Sequence, residues 1–334
     1  MSSANNKVVL SLIGAGGRGT AVILDMQKCL PGVEVKYICD VDKGRGGRAM
    51  SELEKQQKKK PIRIEDMSRS FDDKDVDAAV ICTPEHWHAL ATVWACQAGK
   101  DVYVEKNINM NITEGRKMIE AGRRYNRIIQ CGWQNRSGAY NMDAREYIQS
   151  GKLGKVSLIK TYGMVSGHKP WLEKEDEPVP EGLNWDMWLG PAPEVPYNIS
   201  RHKSYNEWWA YSCGLPLADC SHNIDLTRMV MGDPDHPKSV FCTGGRVIYN
   251  DTRDIPDNQT ITFDFVEFPM VVEAAIYGEY LVKASPKITY TRELFPNWQF
   301  NGDHIEIYGT DGVMFLGRTG GGWQVFGKDS EIIA

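Results

Sequence analysis

The sequence predicts an α/β domain built on a doubly wound parallel sheet, followed by an α+β domain with a large, mostly antiparallel, open-faced sheet. Three observations predict it. Apolar strand-like runs alternate with helical patterns from Lys7 to Cys131 through short connections, as βαβ units do. A glycine-rich turn, Gly14-Ala15-Gly16-Gly17-Arg18-Gly19, joins the first strand to the first helix. After about residue 150 the texture changes to short strands, which implies antiparallel pairing.

Residues 7–13 (KVVLSLI) read as a buried parallel strand, because they show no polar alternation. Residues 20–30 read as a helix, stopped by Pro31-Gly32. Residues 33–40 are the next strand, and the charged stretch 51–60 is a solvated helix ending in Lys58-Lys59-Lys60. Residues 76–83 form a third major strand, 86–98 a helix closed by Gly99, and 101–105 a strand that delivers Glu105-Lys106 to its carboxyl end. A helix over 112–125 and a strand over 128–131 complete the first half. Beyond it lie a long strand over 156–164, a loop-rich stretch over 166–210 rich in proline and tryptophan, a helix over 221–231, and short strands from Ser239 onward.

At ~100–200 residues per domain, 334 residues imply two domains. They are expected over 1–150 and 151–334. A net charge of -5 argues against a nucleic-acid partner bound by a basic surface. No apolar run approaches the ~20 residues of a membrane span, and the N-terminus shows no signal peptide. The eight cysteines form no CxxC pair and read as free thiols, which fits a reducing, cytoplasmic compartment. No metal site is expected, since His86-Trp87-His88 has no further ligands at suggestive spacing. There is no GxSxG nucleophile elbow.

Gly14, Gly16 and Gly19 fit G-x-G-x-x-G after a strand and at the head of a helix. In a Rossmann domain the first glycine makes the turn, the second lets a pyrophosphate approach, and the third lets helix and strand pack. The helix N-terminus adds N–H donors and the positive dipole end, so Gly17 and Arg18 join the cofactor candidates. Asp40 ends the second strand 21 residues past Gly19, where it would accept from a ribose diol and repel a 2′-phosphate. NAD is therefore favoured over NADP. Asp42 competes for this role, and Asp40 could instead cap the following turn. Thr83-Pro84 are placed to line the nicotinamide half. For His88, a cofactor contact and a capping or core role stay open, and Glu105 is the last cofactor candidate.

The order of glycine fingerprint, acidic residue, TPxxxH and GKxVxVEK, followed by Gly190-Pro191-Ala192-Pro193 and His222-Asn223-Ile224-Asp225, resembles the Gfo/Idh/MocA oxidoreductase family. The resemblance covers nearly the whole chain. It implies a sugar or cyclitol hydroxyl oxidised by a bound nicotinamide, or the reverse reaction. The family lysine maps onto Lys106. A buried lysine beside a cationic ring sheds its proton readily, which suits acid/base work, although Lys106 could instead pair with Glu105. The family histidine maps onto His222, with Asp225 one helical turn on. Two departures stand out. Asn107 replaces the motif proline, so the backbone loses a fixed φ and a proline's tolerance of a cis bond. Ala218 stands where an aspartate is often found, and Asp219 is its neighbour.

A small carbohydrate or glycoside partner fits the tryptophans. Trp133, Trp171, Trp208 and Trp209 are candidate sugar platforms, or core residues. Arg136, Tyr162, His168 and Arg201 are candidate readers of hydroxyls. Two other readings stay open: a glycosidase that oxidises its sugar transiently, and a non-catalytic NAD-binding sensor. Ending at GKDSEIIA, the second domain is expected to lack the family's closing helix. A homo-oligomer, a dimer or tetramer, is expected through the open sheet face, and a light-scattering mass tests this.

Overall fold

The structure is a computed structural model. It describes residues 7–164, 172–276, 281, 298, 301–319 and 322–334. His168 and Trp171 lie outside the described residues. The chain divides into two compact units. The first comprises Met1–Gly132, Lys174–Asn206 and Ala210–Ser212, and the second Trp133–Glu173, Glu207–Trp209 and Cys213–Ala334.

In the first unit, strands β1 (Val8–Ile13), β2 (Val33–Cys39), β3 (Ile62–Ile64), β4 (Ala78–Ile81), β5 (Asp101–Val104) and β6 (Ile129–Cys131) form one sheet in the order β3-β2-β1-β4-β5-β6. Every pairing is parallel. Five helices lie between these strands: α1 (Gly17–Cys29), α2 (Gly47–Gln57), α3 (Ser68–Phe71), α4 (Glu85–Gln97) and α5 (Ile112–Tyr125). The period of two along β1 and β4 explains the double winding. Leu12 and Val80 join a core with Ile23 and Leu53 of α1 and α2, while Ile13 and Ile81 join another with Ala91, Ala95 and Met118 of α4 and α5. The strand order reverses between β1 and β4, and the crevice at that switch point is where such sheets bind ligands.

Local chemistry sets the helix ends. Asn111 Oδ1 caps α5 by accepting the Glu114 N–H at 3.0 Å, while Glu114 reaches back to the N–H of Met110, the residue before the cap, at 2.8 Å. The helix expected over 51–60 instead runs from Gly47 to Gln57; Gly46 at φ +81° admits the chain and Lys58 at φ +55° ends it, so the lysine run lies beyond the helix.

The second unit holds helix α6 (Ala139–Gln149) and strand β7 (Val156–Met164); two short helices, α7 (Trp185–Leu189) and α8 (Ile199–Lys203), belong to the first. Helix α9 (Leu215–Val230) is followed by β8 (Ser239–Gly245), β9 (Asn258–Asp264), β10 (Pro269–Ala275), β11 (His304–Gly309), β12 (Val313–Gly317) and β13 (Trp323–Phe326). The sheet order is β13-β12-β11-β7-β10-β9-β8. Among the described strands only the β7–β10 pairing is parallel. One face packs on α9 through Ile159, Val272, Ile305 and Ile307 against Leu226 and Met229. Gly163 allows this approach, since a Cβ there would collide with Cys220 of α9. Helix α9 begins six residues before the expected 221, because Gly214 at φ +87° turns the chain and the proline falls in the first turn, where its missing N–H costs nothing.

Candidate active site

The first unit gathers its candidate residues at the carboxyl ends of β1, β2, β4 and β5. Gly14 follows β1 with φ +87°, and a Cβ there would stand 2.7 Å from the carbonyl carbon of Cys82. A Cβ at Gly19 would overlap the Gly14 carbonyl oxygen. Both glycines are therefore demanded by the protein's own backbone. The other two are not. At Gly16 a Cβ would meet only Arg45 Nη1 at 3.8 Å, and at Gly17 nothing within 4 Å. This open cradle borders a cavity of about 230 Å³ whose lining also includes Arg18, Asp40, Thr83 and Pro84. The first-turn N–H groups of α1 have no intrahelical acceptors, so an anion at the cradle would satisfy them. The residues present fit a dinucleotide.

Asp40 is held in place by two backbone donors, Ala15 N–H to Oδ2 at 2.8 Å and Asp42 N–H to Oδ1 at 2.9 Å. Burial pushes its carboxyl above the ordinary range, although both bonds favour the ionised form. Each oxygen keeps a lone pair for a further donor. Asp42 also lines the cavity, but its Oδ1 accepts the Gly44 N–H at 2.8 Å and closes its own turn. Met187, Trp188, His202 and Tyr205 complete the lining. These were not expected, because they come from the loop-rich stretch. The aromatic run Trp185-Asp186-Met187-Trp188 was the available signal.

Glu105 and Lys106 follow β5. Glu105 is buried and accepts from Arg18 Nη2 at 2.7 Å and from the Tyr103 hydroxyl at 3.0 Å. Its other oxygen accepts the backbone N–H of Lys106 at 3.3 Å. Gly132 makes room for this group, since a Cβ there would lie 2.6 Å from the Tyr103 oxygen. Lys106 is half-buried. The Lys106–Asn107 peptide is cis although no proline follows. Asn107 is buried, with its side-chain amide donating to Glu85 at 3.1 Å. His88 is buried behind it, with both ring nitrogens against backbone carbonyls, those of Asn107 and Thr83.

In the second unit His222 is buried on α9, and the Trp133 ring meets it edge-on at 5.6 Å and 87°. Arg136, in the short 3-10 turn Gln134–Ser137, grips Asp225 through Nε at 2.9 Å and Nη2 at 2.8 Å, and Asp233 at 2.8 Å. Burial raises the Asp225 carboxyl's pKa, and Arg136 opposes the rise. Asp219 pairs with Arg318 at 3.3 Å, and Arg318 also holds the buried Asp303 at 3.1 Å. Neither Arg318 nor Asp303 carried a sequence signal. Tyr162 lies on the sheet face away from α9, since its neighbour Thr161 bonds Thr227 of that helix at 3.1 Å. The Tyr162 ring stacks on His304 at 4.5 Å. Trp208 is buried, and Arg201 lies on α8 of the first unit.

Residues 8–133 match the family described as an oxidoreductase family with an NAD-binding Rossmann fold, and residues 142–260 match that family's C-terminal alpha/beta domain. The chain belongs to the Gfo/Idh/MocA family. Its first unit is accordingly an NAD-binding Rossmann domain. Scyllo-inositol 2-dehydrogenase (NAD(+)) from Bacillus subtilis (strain 168) is 26% identical over 313 residues, 93% of this chain and 74% of that protein. Two solved structures share the fold. Levoglucosan dehydrogenase, in complex with NADH and levoglucosan, superposes with a TM-score of 0.67 at 19% identity, covering 98% of this chain and 78% of that one. Myo-inositol 2-dehydrogenase from Lactobacillus plantarum gives 0.65 at 15% identity, covering 98% and 82%.

Two histidines of this Gfo/Idh/MocA chain's first unit give it a pH signature. Burial pushes both His86 and His202 down to about 4. An unfolded chain protonates its histidines near ~6.5, so between those values it binds protons that the folded unit refuses. Stability is therefore expected to fall as pH drops from about 6.5 to about 4, by roughly 1.4 kcal/mol per pH unit for each histidine. Thermal melts across this window check it. The His86→Asn variant should show a shallower slope than the wild type, and equal slopes would count against the assignment.

Proposed function

We propose that this protein is an NAD-dependent dehydrogenase that oxidises a hydroxyl of a sugar or glycoside, or reduces the keto sugar. The observation that carries the reading is that one unit holds both the dinucleotide cradle and, at the end of β5, a lysine whose backbone is tied through Glu105 to Arg18 of that cradle. The bound nicotinamide would exchange hydride with the substrate carbon. Lys106 takes the hydroxyl proton in oxidation and returns it in reduction. The family resemblance gives His222 of the second unit a hydrogen bond to a substrate hydroxyl, and the Trp133 ring beside it in that unit is suited to a sugar's C–H groups. Asp225 and Asp219 act through their arginine partners, which hold α9 in place. The inositol and levoglucosan dehydrogenases among the similar proteins support this substrate class.

A panel of cyclitols, sugars and glycosides, offered with NAD and followed by reduced-nicotinamide absorbance and product mass, tests the proposal. NADH in proportion to oxidised product is the expected result. Aglycone release without net NADH would instead mark a glycosidase, and NAD binding without any turnover a sensor.

Asp40 carries the preference for NAD. Losing a carboxylate acceptor for the ribose diol costs about 1.5–3 kcal/mol, so Asp40→Ala is expected to lower kcat/KM for NAD by roughly 10–100-fold. It should also narrow the discrimination against NADP, because a negative charge facing the 2′-phosphate is gone. Steady-state kinetics with both cofactors reads this, and an unchanged NAD/NADP ratio would reassign the role to Asp42.

A further inference from the structure

His88 makes two contacts that one neutral imidazole cannot both satisfy. Its Nδ1 lies 2.6 Å from the Asn107 carbonyl oxygen, and its Nε2 lies 2.8 Å from the Thr83 carbonyl oxygen. A neutral ring has one N–H and one bare nitrogen. The bare nitrogen would press its lone pair against a carbonyl lone pair in a buried place, leaving that carbonyl without a donor. The 2.6 Å contact is shorter than an ordinary N–H···O bond, and the 2.8 Å contact falls within the ordinary range. The two carbonyls are not arbitrary. Thr83 lies two residues past the end of strand β4 and lines the cofactor cavity, while Asn107 directly follows Lys106.

We propose that His88 is a positioning residue of the chemical site: set between the Thr83 and Asn107 carbonyls, it donates to one when neutral and to both when protonated, and so fixes the backbone that carries Lys106. Its surroundings bear on that charge from each side. Burial works against the second proton and lowers the ring's pKa, while both carbonyls and the carboxylates of Glu85 on α4 and Glu105 after β5 favour the proton. His86, also on α4, faces it as a repelling neighbour only when charged. Glu85 reinforces the bolt from a second direction through the Asn107 side chain. The two-bond state therefore belongs to the acid side, and one carbonyl is released as the pH rises.

This inference rests on Lys106 being the acid/base group, and the test separates the two. In the full-length protein labelled with 15N-histidine, one His88 ring nitrogen is expected in the N–H range at neutral pH with its proton slow to exchange, and the second is expected to join it only below the pH at which a free histidine protonates. A His88 ring N–H that exchanges as fast as that of an exposed histidine overturns the bolt. His88→Ala is expected to lower kcat at least ~10-fold while the NAD dissociation constant stays within about 3-fold, the mark of a misaimed group rather than a lost binding site. His88→Asn, which keeps a donor for one carbonyl, should fall between, and it is the variant read if His88→Ala does not fold. Wild-type kcat in the folded variant overturns the proposal. Lys106→Ala, assayed alongside, decides the underlying reading: full turnover there removes the role of the lysine, whereas the nitrogen shifts of His88 answer independently.

Discussion

Replacing Lys106 with alanine is expected to lower turnover by about 10²–10⁴-fold, the usual worth of a positioned acid/base group. NAD affinity should stay within a few-fold, because Lys106 is not among the cavity-lining residues, whereas Arg18, Asp40 and Thr83 are. The loss should therefore fall on kcat. Lys106→Arg sharpens the point. It keeps the positive charge but cannot give up its proton, so it should be nearly as inactive as alanine. NAD titration and steady-state kinetics on the two variants, against whichever polyol or glycoside turns over, decide the matter. Turnover within a few-fold of wild type in Lys106→Ala would sink the assignment, and an active Lys106→Arg would mean that the residue supplies charge rather than a proton.

The second large effect separates glycines that look alike in the fingerprint. Gly19→Ala is expected to cost about 3 kcal/mol or more, because its Cβ would overlap the Gly14 carbonyl and neither main chain can move without shifting α1 or β1. At about 2–4 °C per kcal/mol for a unit of this size, melting should drop by roughly 6 °C or more. Gly16→Ala is expected to fold normally, since its Cβ has only Arg45 at 3.8 Å, yet to bind NAD far more weakly because the methyl fills the cradle. Melting curves and NAD titrations on both variants form the check. A stable Gly19→Ala, or a Gly16→Ala that binds NAD as the wild type does, would show that the fingerprint works differently here.

What could be read in advance follows from the range of each signal. Ile112–Tyr125 was legible to the residue because its Asn-x-x-Glu start and Asn126 end are local. Val156–Met164 was legible because nine residues of one strand leave a clear pattern. β3 and β13 were missed, although β6 and β5, equally short, were not. The first turns of α9 were missed because Leu215-Pro216-Leu217 reads as a break, although proline at the start of a helix is favourable. Asn107 reads as a loss of the motif's backbone geometry, yet the peptide it forms with Lys106 is cis and its side chain is anchored by Glu85.

By itself the sequence determined the fold class, the family, the glycine cradle and which lysine stands at the mouth of the parallel sheet. Those depend on periodicity, turn chemistry and motif spacing, all of which are written along the chain. Only the tertiary structure decided the partners. Arg18 finds Glu105 across 87 residues, and Arg136 finds Asp225 across 89. A buried charge must be paired, but which partner reaches it depends on strand order and helix packing. The same holds for the residues from 187 to 205 that complete the cofactor cavity, since their neighbours are set by where the chain returns and not by what flanks them.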